Sequence, residues 1–282
     1  MRFSTVNGVR IGYDESGAGP PVVWVHGGFT DRHGVDLVAP LLADRYRVIA
    51  YDRRGHSESE RWPGRQAVSD HVADLAALLD DLDAAPAHLL ANSDGGEVAL
   101  KLALRLPDLV ASLCLHEPSL YGILPDDPAI SAAVADMTAE LDRIAAELER
   151  GNDEAAARML IDGVAVGPGG WEALPEQSRR TFIRNAPTWL DTARDPAYGV
   201  IDADLLAALA MPVLVSHGDH SHPADVAVVA RLADAIPHAF RHTFAGAGHV
   251  PHRTHPDEFA RVVRRFLGAA RSPARRFTGG GA

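Results

Sequence analysis

The first half of the chain alternates short apolar segments with longer amphipathic ones. The apolar segments are compact and mostly rich in β-branched side chains, which is typical of buried strands in a parallel sheet. They are Pro21–Val25, Arg47–Ala50, His88–Ala91 and Val110–Leu115. Between them, Ala67–Leu82 and Gly95–Leu106 have apolar residues at helical spacing. This alternation predicts an α/β fold with a mostly parallel, doubly wound sheet and helices on both faces.

The pattern changes after Pro118. From Asp126 to about Arg194 only amphipathic helical segments occur, of which Ile130–Arg150 is the clearest. Alternation then resumes with Pro212–Ser216, Val226–Ala235, Arg241–Phe244 and Glu258–Leu267. We therefore predict a core formed by residues 1–118 and 206–270, a helical cap inserted at 119–205, and a flexible tail at 271–282.

Composition narrows the classes of partner. The 282 residues are 46% hydrophobic, enough for a sizeable core, and the formal net charge is −11. This acidic balance argues against nucleic acid and anionic membranes, because both would be repelled. The N-terminal residues contain no long apolar stretch, so we expect a cytoplasmic protein, monomeric or homodimeric, whose partner is a small-molecule substrate.

Signatures of metal and cofactor sites are missing from the sequence. Histidines cluster at 220–222 and 249–255, but HExxH, CxxC, Walker A and dinucleotide-binding motifs do not occur. The single cysteine, Cys114, lies in an apolar strand and excludes an internal disulfide. We therefore expect no metal and no cofactor.

A serine lies at a strand-to-helix junction in the segment Ala91–Gly96 (ANSDGG). A nucleophile elbow requires this context, since a sharp turn exposes the hydroxyl of Ser93 above the sheet. Small residues two before and two after the serine, Ala91 and Gly95, allow such a turn. An ordinary turn with a serine that caps the helix would also fit this segment.

Three other segments strengthen the first interpretation. His26–Gly28 (HGG) and Asp52–Ser57 (DRRGHS) each follow a predicted strand, and Gly246–His249 (GAGH) follows the last one. With the serine segment, they form four motifs in an order that resembles the α/β-hydrolase superfamily over the whole chain apart from the tail.

The resemblance implies an α/β-hydrolase fold and roles for particular residues. Ser93 corresponds to the nucleophile and His249 to the general base that removes its proton. The backbone N–H groups of Gly28 and Asp94 would form the oxyanion hole. Such an enzyme hydrolyses its substrate through an acyl-enzyme.

The acidic member of the triad departs from the commonest pattern. Most relatives carry an aspartate three residues after the glycine that follows the penultimate strand, and here that position is Ser221. A serine cannot stabilise an imidazolium as a carboxylate does. Glu117, just past the Val110–Leu115 strand, corresponds to the acid position of the haloalkane dehalogenase branch. Asp219 is the alternative; we favour Glu117.

The side chain of Asp94, next to the nucleophile, also invites an interpretation. It could repel anionic substrates, hold a cationic or hydroxylated one, or raise the pKa of His249. It could equally cap the following helix, where an acidic residue is favourable.

The cap is expected to cover the active site with apolar residues. Our candidates for substrate binding are Phe29, Tyr121, Met137, Trp171 and Trp189. A mainly apolar pocket favours a small ester, lactone or thioester over a highly charged metabolite.

We therefore predict a serine-dependent carboxylic ester hydrolase. The alternatives on the same scaffold are a carbon–carbon bond hydrolase, or a lyase or cyclase that uses the Ser–His pair for proton transfer. A further alternative from another class is a non-catalytic ligand-binding receptor.

Overall fold

The computed structural model describes residues 1–62, 64–125 and 127–270. Its sheet has eight strands in the order β1-β2-β4-β3-β5-β6-β7-β8. The strands are β1 (Arg2–Val6), β2 (Val9–Ser16), β3 (Pro21–Val25), β4 (Arg47–Tyr51), β5 (Ala87–Asn92), β6 (Val110–His116), β7 (Val213–Gly218) and β8 (Phe240–Phe244). Strand β2 is antiparallel to both of its neighbours, and all other pairs are parallel.

This sheet confirms the predicted α/β fold class. The four apolar segments of the first half form β3 to β6, and β3 has the predicted bounds. The hairpin of β1 and β2 was not predicted. Strand β1 lies at the edge of the sheet and buries only two of its five residues, so it lacks the continuous apolar run by which the central strands are recognised.

Helices cover both faces of the sheet and form a further layer above it. They are α1 (Ala39–Leu42), α2 (Val68–Asp81), α3 (Asp94–Arg105), α4 (Pro128–Glu149), α5 (Asp153–Met159), α6 (Gly170–Ala173), α7 (Glu176–Ala193), α8 (Pro223–Ala235), α9 (Pro251–Thr254) and α10 (Pro256–Ala270). One face of the sheet packs against α2, α3 and α8, and the other face packs against α1 and α10. Each face has its own apolar core. The two cores hold the carboxyl ends of the parallel strands in place.

The segment between β6 and β7 contains helices α4 to α7 and a π-helical turn at Leu160–Ala165, and no strand in its described residues. Its apolar side chains form a third cluster, which includes Ile144, Trp171 and Trp189 together with Phe29 from the loop after β3. The exact boundaries of the predicted cap, 119–205, stay a prediction. The predicted tail at 271–282 lies outside the described residues. No helix among the described residues is long and apolar enough to cross a membrane.

Candidate active site

Ser93 occupies the turn between β5 and α3. Its φ of +56° is unusual for a residue with a side chain, and the chain reverses there from strand to helix. Gly95 permits the turn, because a Cβ at that position would lie 2.1 Å from the carbonyl oxygen of Val25. Ser93 lines a cavity below the cap. The serine segment therefore has the backbone geometry of a nucleophile elbow.

Two backbone N–H groups near Ser93 are available to a ligand. Asp94 is the first residue of α3, so its N–H has no carbonyl partner within the helix. Neither that group nor the N–H of Gly28 has a hydrogen bond to any described residue. The two residues are close, since a Cβ on Gly28 would lie 2.7 Å from Asp94 Oδ2. The arrangement has the elements of an oxyanion hole.

The DRRGHS segment supports the HGG loop from below. Arg53 is buried, and its Nη2 donates to the carbonyl oxygen of Gly27 at 3.0 Å. His56 Nε2 lies 2.6 Å from the carbonyl oxygen of Gly28, and burial, with the charge of Arg53, lowers the pKa of this histidine to about 3. With its carbonyl groups engaged below, the loop leaves its N–H groups for the cavity side.

Glu117 and His249 are paired. Glu117 follows β6 in a left-handed conformation (φ +44°) and is fully buried. Its Oε2 lies 2.7 Å from His249 Nδ1. This contact orients the imidazole so that the Nε2 atom is the free one, as a general base requires.

The other oxygen of Glu117 explains the serine at the usual acid position. Oε1 accepts a hydrogen bond from the backbone N–H of Gly218 at 2.8 Å and another from the hydroxyl of Ser221. Asp219 has a different contact: its Oδ1 accepts from the N–H of Gly246, and 44% of its side chain is exposed. The structure therefore places Glu117, and not Asp219, next to His249.

Three carboxylates act on the charge of the His249 imidazole. Burial disfavours its charged form, but the hydrogen bond and charge of Glu117, with the charges of Asp225 and Asp94, outweigh burial and raise the pKa of His249 to about 9. Burial would raise the pKa of Glu117, but His116, His249 and Ser221 lower it below its ordinary value. The pair therefore combines an ionised carboxylate with an imidazole that is more basic than usual.

The side chains of Ser93 and His249 are not hydrogen-bonded to each other. Ser93 Oγ lies 3.3 Å from Ser119 Oγ, and no hydrogen bond among the described residues links it to His249. Catalytic hydrogen bonds often tighten only when substrate binds. Asn92 ties the two segments together, because its Nδ2 donates to the carbonyl oxygen of His249 at 3.1 Å.

The cavity above Ser93 has a volume of about 480 Å³, within the range of small-molecule sites. Its polar floor includes Ser93, Asp94, Ser119 and His249, and its apolar roof comes from the cap, with Leu160, Ile161, Val164, Ala165 and Phe182 among its residues. Asp36 and Arg253 lie at its exposed end.

Of the predicted pocket residues, Phe29, Tyr121 and Trp189 line the cavity, and the rings of Phe29 and Trp189 lie 5.6 Å apart. The prediction was wrong for Met137 and Trp171, which do not line it. Met137 is buried on α4, and Trp171 is buried in the apolar cluster of the cap. Helical spacing identifies buried residues but does not tell which of them border a cavity.

Sequence reasoning missed three polar residues beside the Ser–His pair: Ser119, Tyr198 and Asp225. Ser119 contacts Ser93 directly. Tyr198 Oη donates to Asp94 Oδ1 at 2.8 Å, and Tyr121 Oη donates to Asp225 Oδ1 at 2.7 Å. None belongs to a motif, so the only sequence signal was the place of Asp225 at the start of a helix after β7.

Glu117, Asp225 and His249 also have ligand-type atoms within 4.8 Å of one another. In principle, these residues could bind a divalent cation. Glu117 is, however, already engaged by His249, Gly218 and Ser221. We therefore interpret the group as an acid–base pair with a second carboxylate beside it.

Comparison with known proteins agrees with this geometry. Residues 20–256 match the alpha/beta hydrolase fold family, and the chain belongs to that family. It is 33% identical, over 95% of its own length and 93% of the relative's, to 2-hydroxymuconate semialdehyde hydrolase of Pseudomonas sp. strain CF600. It is 29% identical, over 89% and 95%, to the pimeloyl-[acyl-carrier protein] methyl ester esterase of Chromobacterium violaceum. A solved thermophilic esterase from Thermogutta terrifontis is 26% identical, with a TM-score of 0.78 and coverage of 96% and 97%.

Proposed function

We propose that this hydrolase cleaves a small, mainly apolar carboxylic ester, lactone or thioester through a serine-linked acyl-enzyme. The observation that carries the proposal is the hydrogen bond between Glu117 and His249 beside the Ser93 elbow. A serine hydroxyl is a poor nucleophile at neutral pH, so a base held in one orientation is the feature that distinguishes a catalytic serine from a capping one.

In the proposed mechanism, Ser93 Oγ attacks the substrate carbonyl carbon while His249 Nε2 takes the hydroxyl proton. The negative charge on the carbonyl oxygen is held by the N–H groups of Gly28 and Asp94. His249 then protonates the leaving alcohol or thiol, and the carbonyl re-forms as the acyl-enzyme. Water, deprotonated by the same imidazole, attacks the acyl carbon and releases the acid. Glu117 stabilises the imidazolium at each step.

The cavity supports the proposed substrate class. Its roof is apolar, and its volume of about 480 Å³ suits a small organic molecule rather than a polymer. The 29% identity to a methyl ester esterase points in the same direction.

A second candidate is the hydrolysis of a carbon–carbon bond at the same site. It is favoured by the 33% identity to a hydrolase whose named substrate is a semialdehyde and not an ester. Ester turnover separates the two candidates, because a carbon–carbon hydrolase is not required to accept simple esters.

The test is to measure turnover of p-nitrophenyl esters with acyl chains of two to eight carbons, for the wild type and Ser93→Ala. Labelling with a serine-directed phosphonate, followed by peptide mapping, is the second readout. Turnover that is lost in Ser93→Ala, with labelling at Ser93, supports the proposal. Labelling without turnover of any ester would favour carbon–carbon hydrolysis or a lyase or cyclase. Neither labelling nor turnover would favour a ligand-binding role.

A further inference from the structure

Two tyrosines in the polar wall of the cavity are each hydrogen-bonded to an aspartate. Tyr198 Oη donates its proton to Asp94 Oδ1, and Tyr121 Oη donates its proton to Asp225 Oδ1. Both tyrosines lie in the cavity wall, and both carboxylates are buried. A phenol has one proton to donate, so each hydroxyl can offer a ligand only its oxygen lone pairs.

One carboxylate oxygen of Asp94 has no hydrogen-bond partner among the described residues. Its Oδ1 accepts from Tyr198, but Oδ2 is buried without a hydrogen-bond partner among the described residues. That oxygen lies beside Gly28, where the substrate carbonyl is expected. A buried acceptor without a partner costs free energy, which a donor on the substrate would recover.

Among the described residues, no lysine or arginine in the cavity wall near the reacting centre offsets these acceptors, and His249 is neutral in the form that acts as the base. Arg53, buried under the HGG loop, balances part of the charge of Asp94 but does not line the cavity. Among the lining residues that the structure describes, Arg253 is the one lysine or arginine, and it lies at the exposed end. A carboxylate on a substrate would therefore lack the arginine partner that usually binds it.

We propose that the cavity selects substrates with a hydrogen-bond donor, a hydroxyl or an ammonium, next to the scissile carbonyl, and disfavours those with a carboxylate on the acyl chain. The donor would bind Asp94 Oδ2, with the hydroxyl oxygens of Tyr198 and Tyr121 as further acceptors. The inference rests on the proposed ester hydrolysis and names the class of acyl group on which it acts.

The experiment compares kcat/KM for three methyl esters of similar size: methyl butanoate, methyl 2-hydroxybutanoate and methyl hydrogen succinate. Each is measured with the wild type and with Asp94→Asn, which keeps the shape but replaces Oδ2 or Oδ1 by a donor. The ratio of the hydroxy ester to the plain ester is then compared between the proteins, so that the intrinsic reactivity of each ester cancels. We expect that ratio to fall about tenfold in Asp94→Asn and the succinate-to-butanoate ratio to rise.

Two further variants test the assignment. Tyr198→Phe removes the hydroxyl that orients Asp94 and should lower the hydroxy-ester ratio in the same direction by a smaller factor. Asp36→Asn removes the same charge at the exposed end of the cavity. It should leave the ratio unchanged, because the effect is attributed to a hydrogen bond and not to net charge. An equal change in Asp36→Asn and Asp94→Asn overturns the inference.

Different experimental results would refute the donor preference and the proposed ester hydrolysis. Equal effects of Asp94→Asn on all three esters, in a variant with wild-type circular dichroism, would refute the donor preference and leave ester hydrolysis intact. If the wild type hydrolyses none of the esters, the proposed function fails, and the same comparison is made by calorimetric binding of butanamide, 2-hydroxybutanamide and succinamate. Tighter binding of the hydroxy amide that is lost in Asp94→Asn would still support the preference, and equal binding would refute it.

Discussion

Replacing Glu117 by glutamine tests the acid of the proposed triad. The two carboxylate oxygens have different partners: Oε1 accepts from the N–H of Gly218, while Oε2 faces His249 Nδ1. In glutamine, one of these oxygens becomes an NH₂ group. Because the backbone N–H of Gly218 needs an acceptor, the amide oxygen should take the Oε1 place and turn the NH₂ group toward the imidazole. His249 would then hold its proton on Nε2, the wrong tautomer for a base.

The magnitude follows from the pKa of His249. Its rise from 6.5 to about 9 corresponds to about 3 kcal/mol in favour of the imidazolium, and the hydrogen bond and charge of Glu117 are the largest favourable contributions. At a pH above 9, where the imidazole is neutral in both proteins, losing most of that stabilisation in the transition state lowers kcat about 100-fold. The wrong tautomer adds to the loss, for a combined decrease of about 10²- to 10⁴-fold.

The assay is the steady-state hydrolysis of a p-nitrophenyl ester, with Asp219→Asn as the matched control. The control also changes one carboxylate to an amide, but on a side chain that is 44% exposed and bonded to the N–H of Gly246. We expect it to change kcat less than threefold, and a melting curve should show that both variants are folded. A large loss in Asp219→Asn with near-normal Glu117→Gln would refute the reasoning about the acid while leaving Ser93 as the nucleophile.

Three further predictions follow from the same structure. Ser221 contacts Glu117, so kcat of the double variant Ser221→Asp/Glu117→Gln should be at least tenfold higher than kcat of Glu117→Gln. An equal or lower kcat would mean that a carboxylate at position 221 cannot reach His249. The base must be neutral, so kcat/KM should rise with pH through a pKa above 6.5 and toward 9. Asp225→Asn removes an anion near His249 and should shift this rise in the pH profile of kcat/KM to lower pH. A rise that stays in place or shifts to higher pH would contradict the assignment. Ala165 lies in the apolar roof, so Ala165→Phe should lower the octanoate-to-acetate ratio of kcat/KM about tenfold, and an unchanged ratio would place the acyl chain elsewhere.

Local pattern in the sequence predicted the fold and the motifs of the site. The continuous apolar runs of β3 to β6 are recognisable because both faces of each strand are buried. The Ser93 segment, the HGG loop and His249 were recognisable because each requires particular residues at a fixed distance from a strand end, which is a property of a few consecutive positions.

Contacts between distant segments could not be predicted in this way. Whether Glu117 or Asp219 lies next to His249 depends on the pairing of β6 with β7, since both residues follow strands that end at the same edge of the sheet. The backbone contact that fixes this choice, from the N–H of Glu117 to the carbonyl oxygen of Ser216, joins residues about 100 positions apart. Local sequence patterns carry no information about such a contact.

The positions of the polar residues around Ser93 and His249 also depend on contacts between distant segments. Tyr198 and Asp225 reach the site from the end of the cap segment and from α8, and neither belongs to a motif. Conversely, Met137 and Trp171 have the apolar character expected of pocket residues and are buried away from the cavity. The sequence by itself determined which segments form the central strands, the helices that cover them and the turns of the site, because those depend on neighbouring residues. Only the tertiary structure decided which side chains meet in the cavity, because that depends on how separate helices pack above the sheet.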